Sequence, residues 1–169
     1  MSDKIEVILI SDNHGITEAV DFIRNTYPVN DVFIHCGDSE MPKYMLHGFC
    51  CVNGNNDFFG EYPMRRVLEV GSHRFYICHG HQDMIFGHLE MLAERAKAND
   101  CDVVCFGHTH IYTDTVVDGI RMLNPGSMWH NRDASKPSYM VITVDGDEIT
   151  TERKEYQRIR TEGKRTSLF

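Results

Sequence analysis

Short apolar runs punctuate the chain in two rhythms. Lys4–Ile10 is a strand of aliphatic and β-branched residues. Thr17–Tyr27 has helical spacing and stops before Pro28. Asp31–His35 and Phe49–Val52 are further short strands, with Ser39–Leu46 predicted as a short helix between them. Strand and helix in alternation is the pattern of a parallel α/β layer. The rhythm then changes. Arg65–Val70 and His73–Cys78 flank Gly71-Ser72 as a hairpin, and Phe86–Ala98 is helical, with Leu89, Leu92, Ala93 and Ala96 apolar. Asp102–Phe106 is a buried strand, and two hairpins follow with turns at Asp118-Gly119 and Asp145-Gly146. Parallel units followed by hairpins imply mixed strand directions. Two sheets packed face to face, with helices outside, accommodate both.

Length and composition narrow this picture. The 169 residues, 41% hydrophobic and 25% charged, suit one soluble domain over residues 1–157. Residues 158–169 form a basic tail expected to fray: from Thr151 to Phe169 there are six Lys/Arg against three Glu. No repeat or linker interrupts the chain. The longest aliphatic run near the start, Val7–Ile10, is too short for a signal core or a membrane span, so a cytoplasmic protein without membrane contact is expected. The six cysteines show no CxxC spacing and read as buried, reduced thiols. A net charge of −8 disfavours nucleic acid as a partner. Ten histidines are an excess whose placement calls for chemistry.

That placement is orderly. Val7–Ile10 leads into Asp12 and His14, Val32–Ile34 into Asp38, Phe49–Val52 into Asn55, Phe75–Ile77 into His79, and Val103–Phe106 into His108 and His110. In an α/β sheet the carboxyl ends of parallel strands form a shared binding edge. Each motif alone has an ordinary explanation: a helix cap, a turn pair such as Gly37-Asp38 or Gly54-Asn55, a satisfied core histidine. Five at five strand ends point to metal. Two carboxylates, one amide oxygen and four imidazoles, with no thiolate, suit Mn²⁺, Fe, Zn²⁺, Ni²⁺ or Co²⁺ rather than a closed structural zinc site. Seven ligands exceed what one such ion with open positions takes. They fit two ions about 3.5–4 Å apart sharing a carboxylate. Two divalent ions against Asp12 and Asp38 leave net positive charge, which favours a small phosphate ester attacked by a hydroxide held between the ions.

These residues resemble the calcineurin-like metallophosphoesterase superfamily, especially its compact bacterial and archaeal phosphodiesterase branch, related to the phosphoesterase-like subunit of retromer. The motifs are Ser-Asp-Asn-His-Gly (11–15), His-Cys-Gly-Asp-Ser (35–39), Gly-Asn-Asn-Asp (54–57), Cys-His-Gly-His (78–81), Gly-His-Thr-His (107–110) and Asn-Pro-Gly-Ser (124–127). The resemblance implies a four-layer α/β/β/α sandwich with two mixed β-sheets. It implies Asp12, His14 and His110 on a first metal, Asn55, His79 and His108 on a second, and Asp38 bridging, with Mn²⁺ the first choice of ion. Many members carry a histidine where this chain has Asn56. His81 and Asp57 are candidates to replace it, so Asp38, Asn55, His81 and Asp57 are the candidate catalytic residues. A supporting or substrate-contacting role is the alternative for His81, and orienting His14 or another imidazole the alternative for Asp57. His35 reads as a supporting or core residue, and Phe58, Phe59, Tyr62 and Met84 as pocket walls or core. The expected function is a dinuclear phosphoesterase, with a phosphodiesterase favoured; the alternative is a non-catalytic interaction scaffold on the same fold. Similar small enzymes suggest a homo-oligomer.

Overall fold

The computed structural model describes residues 4–58, 61–84 and 88–157. Ten strands form two five-stranded sheets. In chain order they are β1 Lys4–Ile10, β2 Val32–His35, β3 Cys50–Cys51, β4 Arg65–Val70, β5 His73–Cys78, β6 Val103–Cys105, β7 Thr113–Val117, β8 Ile120–Asn124, β9 Ser138–Asp145 and β10 Glu148–Glu155. The first sheet has the order β10-β9-β1-β2-β3 and the second β4-β5-β6-β8-β7. Both are mixed. β1, β2 and β3 run parallel while β9 and β10 are antiparallel; β5, β6 and β8 run parallel while β4 and β7 are antiparallel.

Side-chain alternation explains the layers. Successive strand residues face opposite sides of a sheet, and the central strands here are apolar on both. Val7 and Leu9 of β1, Phe75 and Ile77 of β5, and Val103 and Cys105 of β6 meet in one core between the sheets. Ile8 and Ile10 turn the other way, onto Ala19, Val20 and Ile23 of helix α1 (Thr17–Thr26). Tyr76, Cys78 and Val104 turn onto Leu92, Ala93 and Ala96 of helix α2 (Glu90–Ala98). Three apolar layers between four structural ones give the α/β/β/α sandwich.

Two helices differ from the sequence pattern. Only Lys43–Leu46 of the segment 39–46 is helical, as one 3-10 turn after Pro42; the proline has no N–H to give and disfavours helical backbone at Met41. Helix α2 begins at Glu90 rather than at residue 86, with residues 88–89 non-helical and residue 86 outside the described chain. The predicted basic tail, 158–169, also lies outside the described residues. The six cysteines are free thiols, five buried and Cys50 partly so. No helix among the described residues is long and apolar enough to cross a membrane.

Candidate metal centre

The loops that leave the parallel strands at their carboxyl ends converge on one rim, although they come from both sheets. Their backbones are unusual. Nine non-glycine residues among those described have positive φ, and six of them are here: Asp12, His14, Asp38, Glu40, His108 and His110. L-residues avoid this region, and strain of this kind concentrates at functional sites. The loops also approach closely. A Cβ on Gly54 would overlap the Asp38 carboxylate, and one on Gly107 would overlap Ser11 Oγ and crowd Asp12 Oδ2. Glycine at both places lets the chain pass against the acidic side chains.

Five of the predicted ligands pack tightly. Asp12 Oδ1 lies 3.2 Å from His110 Nε2 and 3.7 Å from both His14 Nε2 and His79 Nε2. Asp38 Oδ2 lies 3.4 Å from His79 Nε2 and 3.8 Å from His14 Nε2. Two groups of metal-ligating atoms result, Asp12–His14–His110 and Asp12–Asp38–His79, with Asp12 common to both. Asn55 and His108 stand beside these groups as a pair, Asn55 Oδ1 being 3.2 Å from His108 Nδ1. The His108 ring lies 5.2 Å from that of His79, on the same rim.

The imidazoles are aimed from behind. His79 Nδ1 meets Cys36 O at 2.7 Å and His110 Nδ1 meets His130 O at 2.8 Å. A neutral ring donating there keeps its Nε2 lone pair for the centre. His14 Nδ1 is held by the Glu40 carboxylate at 2.5 Å. Asn56 holds Asp38 in turn: its N–H donates to Oδ1 at 2.8 Å and its Nδ2 to Oδ2 at 3.0 Å. His35 braces from below, with Nε2 on Asn13 Oδ1 and Nδ1 accepting from the Gly37 N–H. Burial pushes its pKa down to about 4 against the pull of Asp57 and Asp12, so the ring is neutral.

Asp57 has a task other than the two predicted for it. Its oxygens accept from the backbone N–H groups of Asp38, Glu40 and Gly54 at 2.7–2.8 Å. That clamps the loop after β2 to the loop after β3. A carboxylate engaged by three amides is an anchor, not a proton donor, and the bracing of His14 falls to Glu40. Glu40 and Asn56 are the residues sequence reasoning missed: each lies beside a predicted ligand, yet nothing in residue type or spacing announces its partner. Of the suggested pocket walls, Tyr62 and Met84 pack against the cores under the helices, Phe58 is exposed, and Phe59 is outside the described residues.

The centre demands positive charge. Burial pushes Asp12 up, but contact with His110 and the charges of His79 and His110 outweigh it and hold the carboxyl below 3.8. Asp38 is likewise driven up by burial but lowered further by His79 and the Asn56 donors. Burial opposes charge on His79, yet Asp38 and Asp12 prevail and raise it above 6.5. His81 and His108 are lowered, by burial and then by the charge of His79. Two atoms at the middle, Asp12 Oδ1 and His79 Nε2, are buried without a hydrogen-bond partner. Leaving one such group unsatisfied costs about 1–3 kcal/mol. A cation satisfies both at once, so the residues present fit divalent metal.

A family model described as the calcineurin-like phosphoesterase superfamily domain matches residues 5–147. The probable metallophosphoesterase YsnB of Bacillus subtilis is 36% identical over 149 residues, covering 86% of this chain and 88% of that protein. The crystal structure of a predicted phosphoesterase from Streptococcus pneumoniae superposes with a TM-score of 0.85 at 29% identity, covering 90% of each chain. Vacuolar protein sorting 29 from Cryptosporidium parvum shares the fold, with a TM-score of 0.72 at 21% identity over 92% of this chain and 99% of its own.

Proposed function

The chain belongs to the calcineurin-like phosphoesterase superfamily, and on that premise we propose that it is a two-metal phosphoester hydrolase acting on small phosphodiesters, with Mn²⁺ as the native ion and Fe, Zn²⁺, Ni²⁺ or Co²⁺ as substitutes. One observation carries this reading. Two carboxylates and three Nε2 atoms converge, and two of the converging atoms are buried without a hydrogen-bond partner among the described residues. Asp12, His14 and His110 would hold one ion, and Asn55, His79 and His108 the other. Asp38 would serve both, its Oδ2 lying 3.8 Å from His14 Nε2 and 3.4 Å from His79 Nε2. Two divalent ions held there would supply Lewis acidity toward phosphate oxygens and would lower the pKa of water.

The chain's own residues do the rest. Glu40, Cys36 and His130 fix the imidazoles, and Asn56 fixes Asp38. His81, whose ring lies 5.4 Å from that of His79 and 6.2 Å from that of His108, would contact the phosphate from the second-ion side. Asn56 and Asp57 are both committed to the loops and His81 is assigned to the phosphate, so activated esters should react fastest. A monoanionic diester also meets less repulsion than a dianionic monoester from a chain of net charge −8.

The test is hydrolysis of bis(4-nitrophenyl) phosphate by protein stripped of metal and reloaded. Two equivalents of Mn²⁺ should bind and restore turnover. Asp38→Ala and His108→Ala should each lower the rate by about a hundredfold or more while the chain stays folded by circular dichroism. An unchanged rate in either variant refutes the assignment. Absence of turnover with every one of these ions leaves the scaffold reading in its place.

A further inference from the structure

The sequence contains a single tryptophan, Trp129. A ring of that size is ordinarily placed to bury its surface, yet half of this one is open to solvent. Its position is specific. The indole centroid lies 4.9 Å from the His14 ring and 6.1 Å from the His110 ring, so it borders the centre at the His14–His110 group. Ile111, directly after His110, adds a second partly exposed apolar side chain.

The loop carrying Trp129 is tied down by hydrogen bonds. Ser127 Oγ donates to Asp12 O at 2.7 Å and accepts from the Trp129 N–H at 2.9 Å and the His130 N–H at 3.0 Å. Met128 N–H bonds Ser11 O, and Arg132 N–H bonds His110 O. The ties to Asp12, Ser11 and His110 run to loops that carry proposed ligands. An exposed aromatic face held still beside a charged centre is a preorganised stacking surface, because little ordering cost remains when a ring lands on it. Centroid separations of about 4.5–7 Å are those at which aromatic rings pair.

The geometry points to Trp129 as the platform for an aromatic ester group, so that the preferred substrates are aryl or nucleoside phosphoesters rather than alkyl ones. This rests on the phosphoesterase reading above and adds to it the identity of the organic group. Trp129 is a specificity-determining residue in this scheme. It moves no proton and holds no ion.

The experiment compares phenylphosphonate with methylphosphonate, both non-hydrolysable, binding to the Mn²⁺-loaded protein by calorimetry. Wild type should bind the phenyl compound about tenfold more tightly, the usual scale of one base–aromatic stack. Trp129→Ala should erase that preference and Trp129→Phe should keep most of it, with methylphosphonate affinity equal in all three. The emission of the lone tryptophan should change on adding phenylphosphonate and not methylphosphonate. In turnover, Trp129→Ala should lower kcat/KM about tenfold for phenyl 4-nitrophenyl phosphate and spare methyl 4-nitrophenyl phosphate, whose leaving group is the same. Equal binding of both phosphonates by wild type overturns the platform. So does an equal loss on both substrates, which would make Trp129 a brace for His14. If neither phosphonate binds, the phosphoesterase reading fails and the platform with it.

Discussion

Two buried histidines frame β5. His73 opens the strand at the hairpin end of the sandwich, and His79 follows its last residue at the metal rim; they are 9% and 1% exposed. His73 is fully partnered. Its Nδ1 meets the Asp102 carboxylate at 2.5 Å and its Nε2 meets Gly146 O, in the β9–β10 turn of the other sheet, at 3.0 Å. His79 is partnered on one side only, with Nδ1 on Cys36 O and Nε2 facing two carboxylates with no hydrogen bond. Residue type and burial are alike, so neither separates a structural histidine from a ligand. What separates them is whether the chain itself meets both nitrogens' demands.

Mutation at each end sharpens that contrast. The largest effect is expected at His79. Wild type should gain about 2.7 kcal/mol of stability when Mn²⁺ reaches a hundred times its dissociation constant, read as a rise in Tm. His79→Ala should abolish the rise and lower turnover by about a hundredfold or more. A variant that still gained stability from Mn²⁺ would remove His79 from the centre. His73→Phe should do the reverse. It removes the hydrogen bonds of His73 to Asp102 Oδ2 and Gly146 O, acceptors that water can reach, and should cost about 0.5–1.5 kcal/mol in denaturant unfolding, while the Mn²⁺-dependent rise and the turnover persist.

The smallest effect belongs to a third tie between the sheets. Asp114 of β7 receives Arg121 Nε at 2.7 Å and Nη2 at 2.9 Å, plus the Thr151 hydroxyl of β10, while Arg121 Nη1 reaches Ile149 O. The Arg121 hydrogen bonds hold Asp114 below its usual 3.8. A depressed carboxylate stabilises the fold above the unfolded-state value and loses that contribution as pH falls through the native one. The pair is partly exposed, so Asp114→Asn should cost no more than about 1 kcal/mol. The difference from wild type should hold steady from about pH 5 to 7 and shrink below about pH 4. A difference that grew in acid would contradict the tie.

Much of this was readable from the chain. Runs such as Val7–Ile10 and Val103–Phe106 are apolar on both faces because each strand is sandwiched, and that announces central strands. The ligand types recur one to four residues beyond those runs, and geometry brought Asp12, His14, Asp38, His79 and His110 together. What sits behind them was not readable. Glu40 reaches His14 because Asp38 and Glu40 both take left-handed backbone, reversing the loop in a way that residue type does not encode. His130 braces His110 through a backbone carbonyl, which any residue supplies. The segment 39–46 shrank to the 3-10 turn Lys43–Leu46 because Pro42 lacks an N–H and disfavours helical backbone at Met41, which a broad apolar pattern does not register.

Because the rim draws from both sheets, its parts are remote in sequence: the Asp12 carboxylate accepts from the backbone of His108, 96 positions away. Neither half of the chain can present the centre alone, and closing so large a loop carries an entropic penalty that only the docked sheets offset. Ion capture at this centre would therefore be a late event in maturation. A cell loading this protein with metal would, in effect, be selecting copies whose two halves have already found each other.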